Sequence, residues 1–241
     1  MTFFGTIGYP FGFYWDPTYV LVLIGAVLTL LASGLVKTTY AKYSKVRSLT
    51  NVTAAQAAER ILHGAGIYDV SITHVSGHLT DHYNPKTKVL SLSDSVYHST
   101  SVAAIGVAAH ECGHAIQHGK AYGPLALRSA MVPAVNICST LSWPVILVGV
   151  LLSWNQTLIT VGIVLFTIAV LFSLVTLPVE FNASNRAIAI LRDNGILQQD
   201  EVKKARKVLN AAAMTYVASA AAMILQLLRL VLLFGGNRRD D

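Results

Sequence analysis

Residues 102–117 read Val-Ala-Ala-Ile-Gly-Val-Ala-Ala-His-Glu-Cys-Gly-His-Ala-Ile-Gln, an apolar run that contains the pattern H-E-x-x-H between His110 and His114. This spacing is typical of zinc hydrolases. Side chains four residues apart lie on one face of a helix, so both imidazoles can reach a single Zn²⁺. Glu111, next to the first histidine, can hold a water beside the metal. The run therefore predicts a helix over residues 101–118 that carries two metal ligands and a base.

The same motif has a purely structural alternative, a helix whose two histidines only pack or form hydrogen bonds. Cys112 is a third residue that could bind metal. It lies two positions from each histidine and projects away from their shared face, so we expect it to fill space.

The composition is that of a membrane protein. Hydrophobic residues make up 54% of the 241 residues and charged residues only 12%, unlike an ordinary soluble domain. Four stretches are apolar and long enough to cross a hydrocarbon core about 30 Å thick. Pro144 leaves a re-entrant or interfacial hairpin arm as the alternative for the second stretch. The predicted transmembrane helices cover residues 18–36, 137–154, 157–177 and 211–234.

The distribution of basic residues predicts the orientation. Fifteen of the 18 Lys and Arg residues lie in the polar segments 37–136 and 178–210. The positive-inside rule places both segments in the cytoplasm, and the terminal segments 1–17 and 235–241 outside. Two scattered cysteines agree with a reducing compartment. The net charge of +6 is then explained by topology and by attraction to anionic lipid, not by nucleic-acid binding.

A catalytic zinc takes three protein ligands, so a third ligand is needed. Glu59 lies on a short upstream helix, and Glu201 lies in a solvated cluster of charged residues. Glu180 remains, because the hairpin of the second and third spans would return it to the membrane face from which the metal helix departs. The alternative is an interfacial carboxylate paired with Arg186.

The polar segment 37–136 predicts a small α+β unit. Thr53 and Gln56 begin a short helix over 54–63 with a capping box, and residues 68–75 and 88–93 alternate like strands. The intervening residues 77–85 read as a loop with a turn at Asn84-Pro85.

Breaks and turns are predicted around the metal helix and the third span. Glycines and prolines at 119, 123, 124 and 133 are expected to break the chain before the second span, and residues 185–210 to form a helical hairpin that turns at Asp193-Asn194-Gly195.

The last strand before the metal helix is a candidate for substrate binding by strand addition, with a merely structural exposed edge as the alternative. Its candidate residues are Lys88, Val89, Leu90, Ser91 and Leu92.

Further residues are candidates for supporting roles. Ser184 or Asn185 would lie one helical turn from Glu180 and could orient a ligand histidine. Stabilisation of a tetrahedral oxyanion needs a hydrogen-bond donor. The candidate donors are Tyr83, His82, Arg186 and Tyr216.

Other polar residues are read as structural. His78 and His82, four residues apart, lie in a loop, so we prefer local hydrogen bonding to a second metal pair. His118 is interpreted as a residue at the helix end. Arg229 inside the fourth span is expected to reach the outer headgroups or to meet Gln226.

Four stretches together resemble the YugP-type family of bacterial membrane zinc metallopeptidases, over nearly the whole chain from the first span to the fourth. The resemblance implies a gluzincin-like site with His110, His114 and Glu180 as zinc ligands and Glu111 as general base. More distantly the chain is similar to HtpX-type and CAAX-prenyl proteases, which carry Asp where this chain has Ser184. The stretches are Gly77–Pro85, Gly106–His118, Leu177–Ser184 and Arg206–Ala213.

The sequence therefore predicts a mainly α membrane protein with four transmembrane helices and a small α+β zincin-like (minigluzincin) cytoplasmic domain. It would bind one Zn²⁺ per chain and act in the bacterial inner membrane as an endopeptidase on peptides or proteins, above all membrane proteins. A homo-oligomer or a membrane-protein partner is compatible with these residues. A catalytically silent zinc-binding scaffold that docks another membrane enzyme is the alternative function. A metal transporter ranks last, because spans one to three contain no ionisable residue.

Overall fold

The computed structural model describes residues 16–235 and is mainly helical. The predicted terminal segments 1–17 and 235–241 therefore lie almost wholly outside the described residues. In chain order the elements of the described part are α1 Tyr19–Tyr43, α2 Ala54–Gly64, β1 Ser71–Val75, β2 His82–Asn84, β3 Val89–Ser93, α3 Val102–Gly119, α4 Gly123–Leu151, α5 Gln156–Asp193 and α6 Gln199–Phe234.

Helices α1, α4, α5 and α6 are long and apolar enough to cross a membrane. A mainly helical protein with four candidate spans and a small sheet is thus confirmed. Each helix is longer than the apolar stretch that predicted it, and α5 runs from Gln156 through Pro178 to Asp193 without a break.

The expected disruption before the second span is largely wrong. Only residues 120–122 interrupt the helices, and α4 then continues through Pro133 and Pro144. Pro124 is tolerated because it lies in the first turn of α4, where its missing N–H would have no helical partner. Proline is also compatible with the interior of a helix that spans a membrane.

The chain divides into two compact units. In its described part the first comprises residues 16–31, 133–173 and 218–235, which are segments of the four long helices. Its core contains Ile146, Phe166, Val170 and Leu230. Here α4 and α5 approach closely, since a Cβ on Gly149 would lie 2.9 Å from the Ile159 Cγ1 atom.

Arg229 lies in this first unit, and its side chain pairs with Asp16 and not with Gln226. Its Nη2 donates to the Asp16 Oδ2 atom at 3.3 Å, and the guanidinium lies 4.2 Å from the centroid of the Tyr19 ring. Asp16 precedes α1 and also accepts from the Thr18 backbone N–H. A sequence separation of 213 residues hides this pair from any local pattern.

The second unit comprises residues 32–132 and 174–217. Its core is formed by one face of α2, where Ala54, Ala57, Ala58 and Ile61 are fully buried, together with residues of β3, α3, α5 and α6. The predicted capping box at the start of α2 is confirmed, since Thr53 Oγ1 accepts from the Gln56 N–H and Gln56 Oε1 accepts from the Thr53 N–H.

The sheet has the strand order β1-β3-β2, with β1 parallel and β2 antiparallel to β3. Both predicted strands are confirmed, whereas β2 lies where the sequence indicated only a loop.

The interpretation of Lys88, Val89, Leu90, Ser91 and Leu92 as a substrate strand is wrong. As the central strand, β3 pairs with a neighbour along each edge, so its main chain has no free edge for a peptide.

The helical hairpin of α5 and α6 turns at residues 194–198, as predicted, with Gly195 at φ +63°.

Glu201 is not a solvated residue, in contrast to the prediction, because only 4% of its surface is exposed. Its two carboxylate oxygens accept the N–H groups of Leu49 and Gln198, each at 2.8 Å. It therefore caps α6 and ties the loop after α1 to this hairpin.

Helices α3 and α5 are in backbone contact at Gly113. A Cβ at this position would lie 2.6 Å from the carbonyl oxygen of Ala183, and real Cβ atoms do not approach so closely. A glycine is therefore required by the packing of α3 on α5, and the neighbouring atom is backbone that cannot turn away.

We predict that Gly113→Ala destabilises the protein by about 1–3 kcal/mol, because α3 and α5 must separate to admit a methyl group. The measurement is the Tm of the purified protein in detergent. Gly119→Ala, on the same helix, is the control, since its Cβ would meet Ile67 at an ordinary 3.6 Å and should leave the Tm unchanged. Equal Tm values for the two variants would contradict the packing argument.

Candidate metal centre

Three side chains converge between α3 and α5. The Nε2 atoms of His110 and His114 lie 3.3 and 3.6 Å from the Glu180 Oε2 atom, and the ligand atoms of all three residues lie within 4.8 Å of one another. The histidine side chains are 15% and 12% exposed and the Glu180 side chain 2%. The structure thus brings together the three residues that the sequence predicted as ligands.

The distances from the two histidine Nε2 atoms to Glu180 fit a tetrahedral zinc site. Zinc–ligand bonds of about 2.0–2.1 Å place neighbouring ligand atoms about 3.3–3.4 Å apart, close to the two Nε2–Oε2 distances. Within residues 16–235, no donor forms a hydrogen bond with the buried Glu180 Oε2 atom. A buried carboxylate oxygen without a donor is costly, and a cation among these three residues removes that cost.

Gln117 determines which nitrogen of His114 faces Glu180. The Gln117 Nε2 donates to the Val179 carbonyl at 2.9 Å and to the Asn182 Oδ1 atom at 3.0 Å. The Gln117 Oε1 therefore faces the His114 Nδ1 atom, 3.0 Å away, and can only accept. His114 must then carry its proton on Nδ1, which leaves the Nε2 lone pair directed at the ligand cluster.

Ser184 supports the other histidine. Its Oγ lies 3.1 Å from the His110 Nδ1 atom, and the residue is 8% exposed. This is the position predicted for a residue that orients a ligand. Asn185, the other candidate, is exposed on α5. The structure therefore distinguishes two neighbours that the sequence could not rank.

Arg128 on α4 forms the ion pair with Glu180, with its Nη1 atom 3.3 Å from the Glu180 Oε1 atom. The alternative partner considered from the sequence, Arg186, is engaged elsewhere. Its Nε donates to Asn182 at 2.7 Å, and its guanidinium lies over the ring of Tyr122. Arg186 therefore shapes the contact between α5 and the start of α4, and does not reach Glu180.

The two carboxylates near His114 favour positive charge at this position. Burial opposes the protonated form, but Glu180 and Glu111 outweigh burial and raise the pKa of His114. Cys112 behaves differently: complete burial raises the pKa of its thiol, and the Sγ lies 3.6 Å from the Ala58 carbonyl. It remains a packed thiol, in agreement with its predicted role as filler.

Glu111 and Tyr216 line the same cavity as His110 and Glu180. The other predicted oxyanion donors are engaged elsewhere. The Tyr83 hydroxyl lies 3.0 Å from the His118 Nδ1 atom, and the His82 Nδ1 lies 2.9 Å from the Thr80 carbonyl. Neither side chain is among those that line the cavity.

Sequence reasoning missed Gln117 and Arg128. Gln117 had a usable signal, because it lies three residues after His114 and hence on the ligand face of α3. Arg128 had none, since it is 52 residues from Glu180 and its approach depends on how α4 leaves the turn at residues 120–122.

Two imidazoles and one carboxylate are the donor set of a catalytic zinc centre. A family model described as "Putative neutral zinc metallopeptidase" matches residues 18–235. A Bacillus subtilis (strain 168) protein described as "Putative membrane protease YugP" is 44% identical over 224 residues, which cover 92% of this chain and 99% of that protein. No solved structure matches the chain. The chain therefore belongs to this family of neutral zinc metallopeptidases, which confirms the resemblance and identifies Zn²⁺ as its metal.

We predict that Gln117→Met weakens zinc binding about 10–100-fold, since it retains side-chain length but removes the acceptor that orients His114. Competition with a chromogenic zinc chelator measures the affinity of the purified protein. Gln199→Met, at an exposed position at the start of α6, is the matched control and should bind zinc as wild type does. Unchanged affinity in Gln117→Met would show that the hydrogen bond is dispensable.

Proposed function

We propose that this protein is a zinc-dependent endopeptidase that cleaves membrane or membrane-associated proteins at the cytoplasmic surface of the bacterial inner membrane. The observation that carries the proposal is the buried cluster of His110, His114 and Glu180, with the carboxylate of Glu111 in the same cavity. The membership of the chain in a zinc metallopeptidase family also supports peptide-bond hydrolysis.

The proposed mechanism divides the roles among these residues. His110, His114 and Glu180 hold Zn²⁺, which when bound supplies Lewis-acid polarisation of the scissile carbonyl and acidifies a water. Glu111 takes the proton from the attacking water and passes it to the leaving amine. Tyr216, which lines the same cavity, donates to the developing oxyanion.

Ser184 and Gln117 act as positioning residues. Each meets the Nδ1 atom of one ligand histidine, at 3.1 and 3.0 Å, and so fixes the direction of the imidazole ring. Arg128 neutralises part of the charge on Glu180. Together these contacts would preorganise the centre before substrate binds.

The outer edge of β2 replaces β3 as the proposed platform for the substrate backbone. Within the described residues, β2 pairs with β3 along one edge and with no strand along the other. Its residue Tyr83 contacts α3 through His118, which keeps the strand against the metal helix. An extended peptide added to this edge would run beside α3.

We predict that Glu111→Gln lowers the rate of hydrolysis of an unfolded protein by about 10²–10⁴-fold while the zinc content remains at the wild-type level, because only the proton acceptor is lost. Release of labelled peptides and metal analysis of the purified variant test this. Glu59→Gln, an exposed glutamate on α2, is the matched control and should cleave normally. Undiminished cleavage by Glu111→Gln would eliminate Glu111 as the base. If the wild-type protein binds zinc but cleaves nothing, the result would instead favour the alternative function, a catalytically silent zinc-binding scaffold.

The proposed orientation predicts the labelling of introduced cysteines. Both native cysteines are buried, so single substitutions at exposed positions can be followed in their presence. In spheroplasts, an impermeant maleimide should label Leu152→Cys, in the connection between α4 and α5, but label Ser76→Cys, after β1, only once the membrane is opened. Labelling of Ser76→Cys in sealed spheroplasts would reverse the topology.

A further inference from the structure

A cavity of about 280 Å³ opens directly beside the metal centre within the second unit, and most of its lining is apolar. Its lining includes His110, Glu111 and Glu180. We define its apolar wall as Val36, Leu79, Val107, Val208 and Ala212. The proposed chemistry accounts for His110, Glu111 and Glu180 and leaves this wall without a role.

Most of the apolar wall lies on the helices α1, α3 and α6, and Leu79 lies in the loop before β2. Val107 lies one turn before Glu111 on α3, and Val208 and Ala212 lie two turns and one turn before Tyr216 on α6. Each helix thus presents an apolar side chain one turn away from a polar residue of the same cavity. A group that binds beside Glu111 or Tyr216 and extends for about one helical turn would meet the wall.

The partial exposure of the wall residues indicates that the apolar wall faces the open cavity and not the packed core. Val36, Leu79, Val107 and Ala212 are only partly buried, although the core residues around them are almost inaccessible. Cavities of this size and lining bind apolar groups, with a few polar residues fixing their orientation.

Asp81 also lines the cavity and raises the alternative of a basic substrate side chain. Its two carboxylate oxygens accept from the Ser93 backbone N–H at 2.8 Å and from the Ser93 hydroxyl at 3.0 Å. Both oxygens are therefore engaged in holding the loop before β2 to the end of β3, which leaves the apolar wall to determine what fits.

We propose that this cavity is the specificity subsite of the enzyme and accepts a bulky apolar side chain, of the size of Leu or Phe, from a residue that flanks the scissile bond. The inference rests on the proposed peptidase function and adds the class of substrate. Val36 is the last residue of the uncharged stretch 18–36, and Ala212 lies in the stretch 211–234. Leu and Phe residues are abundant where the membrane segment of a substrate protein begins. An apolar subsite therefore fits a substrate that is itself a membrane protein.

The first experiment uses alanine-rich peptides in which one position is Leu, Phe, Ala, Lys or Asp, incubated with the zinc-loaded protein in detergent. Mass spectrometry identifies the cleaved bond. We expect cleavage next to Leu or Phe with kcat/KM about 10-fold or more above the Ala, Lys and Asp peptides. Preferred cleavage of the Lys peptide would show that the cavity binds a basic side chain through Asp81, and this would overturn the proposal. Equal cleavage of all five peptides would overturn it as well.

Two variants fill the cavity from different helices, so that a folding defect in one does not decide the result. Ala212→Leu on α6 and Val36→Phe on α1 should each lower kcat/KM for the Leu and Phe peptides about 10-fold or more and change the Ala peptide much less. Ser219→Leu places the same side chain at an exposed position of α6 outside the cavity, and this control should cleave all peptides as wild type does. Parallel loss of activity on every peptide in both folded variants would overturn the proposal.

A binding measurement separates this inference from the peptidase function. Calorimetric titration of the Glu111→Gln variant with the same peptides should show the tightest binding for Leu and Phe, and Ala212→Leu in that background should remove the difference. Apolar preference in binding without any cleavage by wild type would refute the peptidase and retain the subsite. Cleavage by wild type without apolar preference in either assay would refute the subsite alone.

Discussion

The contact of α3 with α5 at Gly113 is the constraint on which the metal centre depends. Gly113 lies between His110 and His114 on α3 and faces Ala183, which lies between Glu180 and Ser184 on α5. One backbone contact therefore sets the distance between both histidines and their partners. With any side chain at position 113 the helices would move apart, and the Nε2–Oε2 distances of 3.3 and 3.6 Å would be lost. A polar cluster of this kind tolerates only small displacements, because hydrogen bonds and metal bonds weaken steeply with distance.

Burial of Glu180 makes the same contact an electrostatic requirement. A carboxylate that is 2% exposed is unfavourable unless charges or donors surround it. Arg128 meets one oxygen, and the other faces two histidine nitrogens. When His114 is neutral, its proton lies on Nδ1 towards Gln117, so the second oxygen lacks a donor at that ring and a metal ion meets this need. The protein thus stabilises the polar cluster incompletely by itself and well with a bound metal, which couples zinc binding to the stability of the α3–α5 pair.

Several features were predictable because they are local in sequence. The H-E-x-x-H spacing, the capping box of α2, the strands β1 and β3 and the apolar stretches each depend on residues within one or two helical turns or within one strand, where periodicity and propensity act directly. The long helices exceeded their predicted bounds for a related reason. Hydropathy detects where a helix is apolar, but the helix itself continues as long as its backbone hydrogen bonds do, through Pro178 in α5 and Pro133 in α4.

The sequence by itself determined the four apolar helices and the pair of histidines with Glu111, and it predicted Glu180 as the third ligand. Tertiary structure alone decided the strand order, which moved the free edge from β3 to β2, and the partners Arg128 for Glu180 and Asp16 for Arg229. It also decided that Ser184 and not Asn185 meets His110. The physical reason is common to all of these: strand order, ion pairs and the side of a helix that faces its neighbour depend on packing between segments distant in sequence, and no spacing along one segment encodes them.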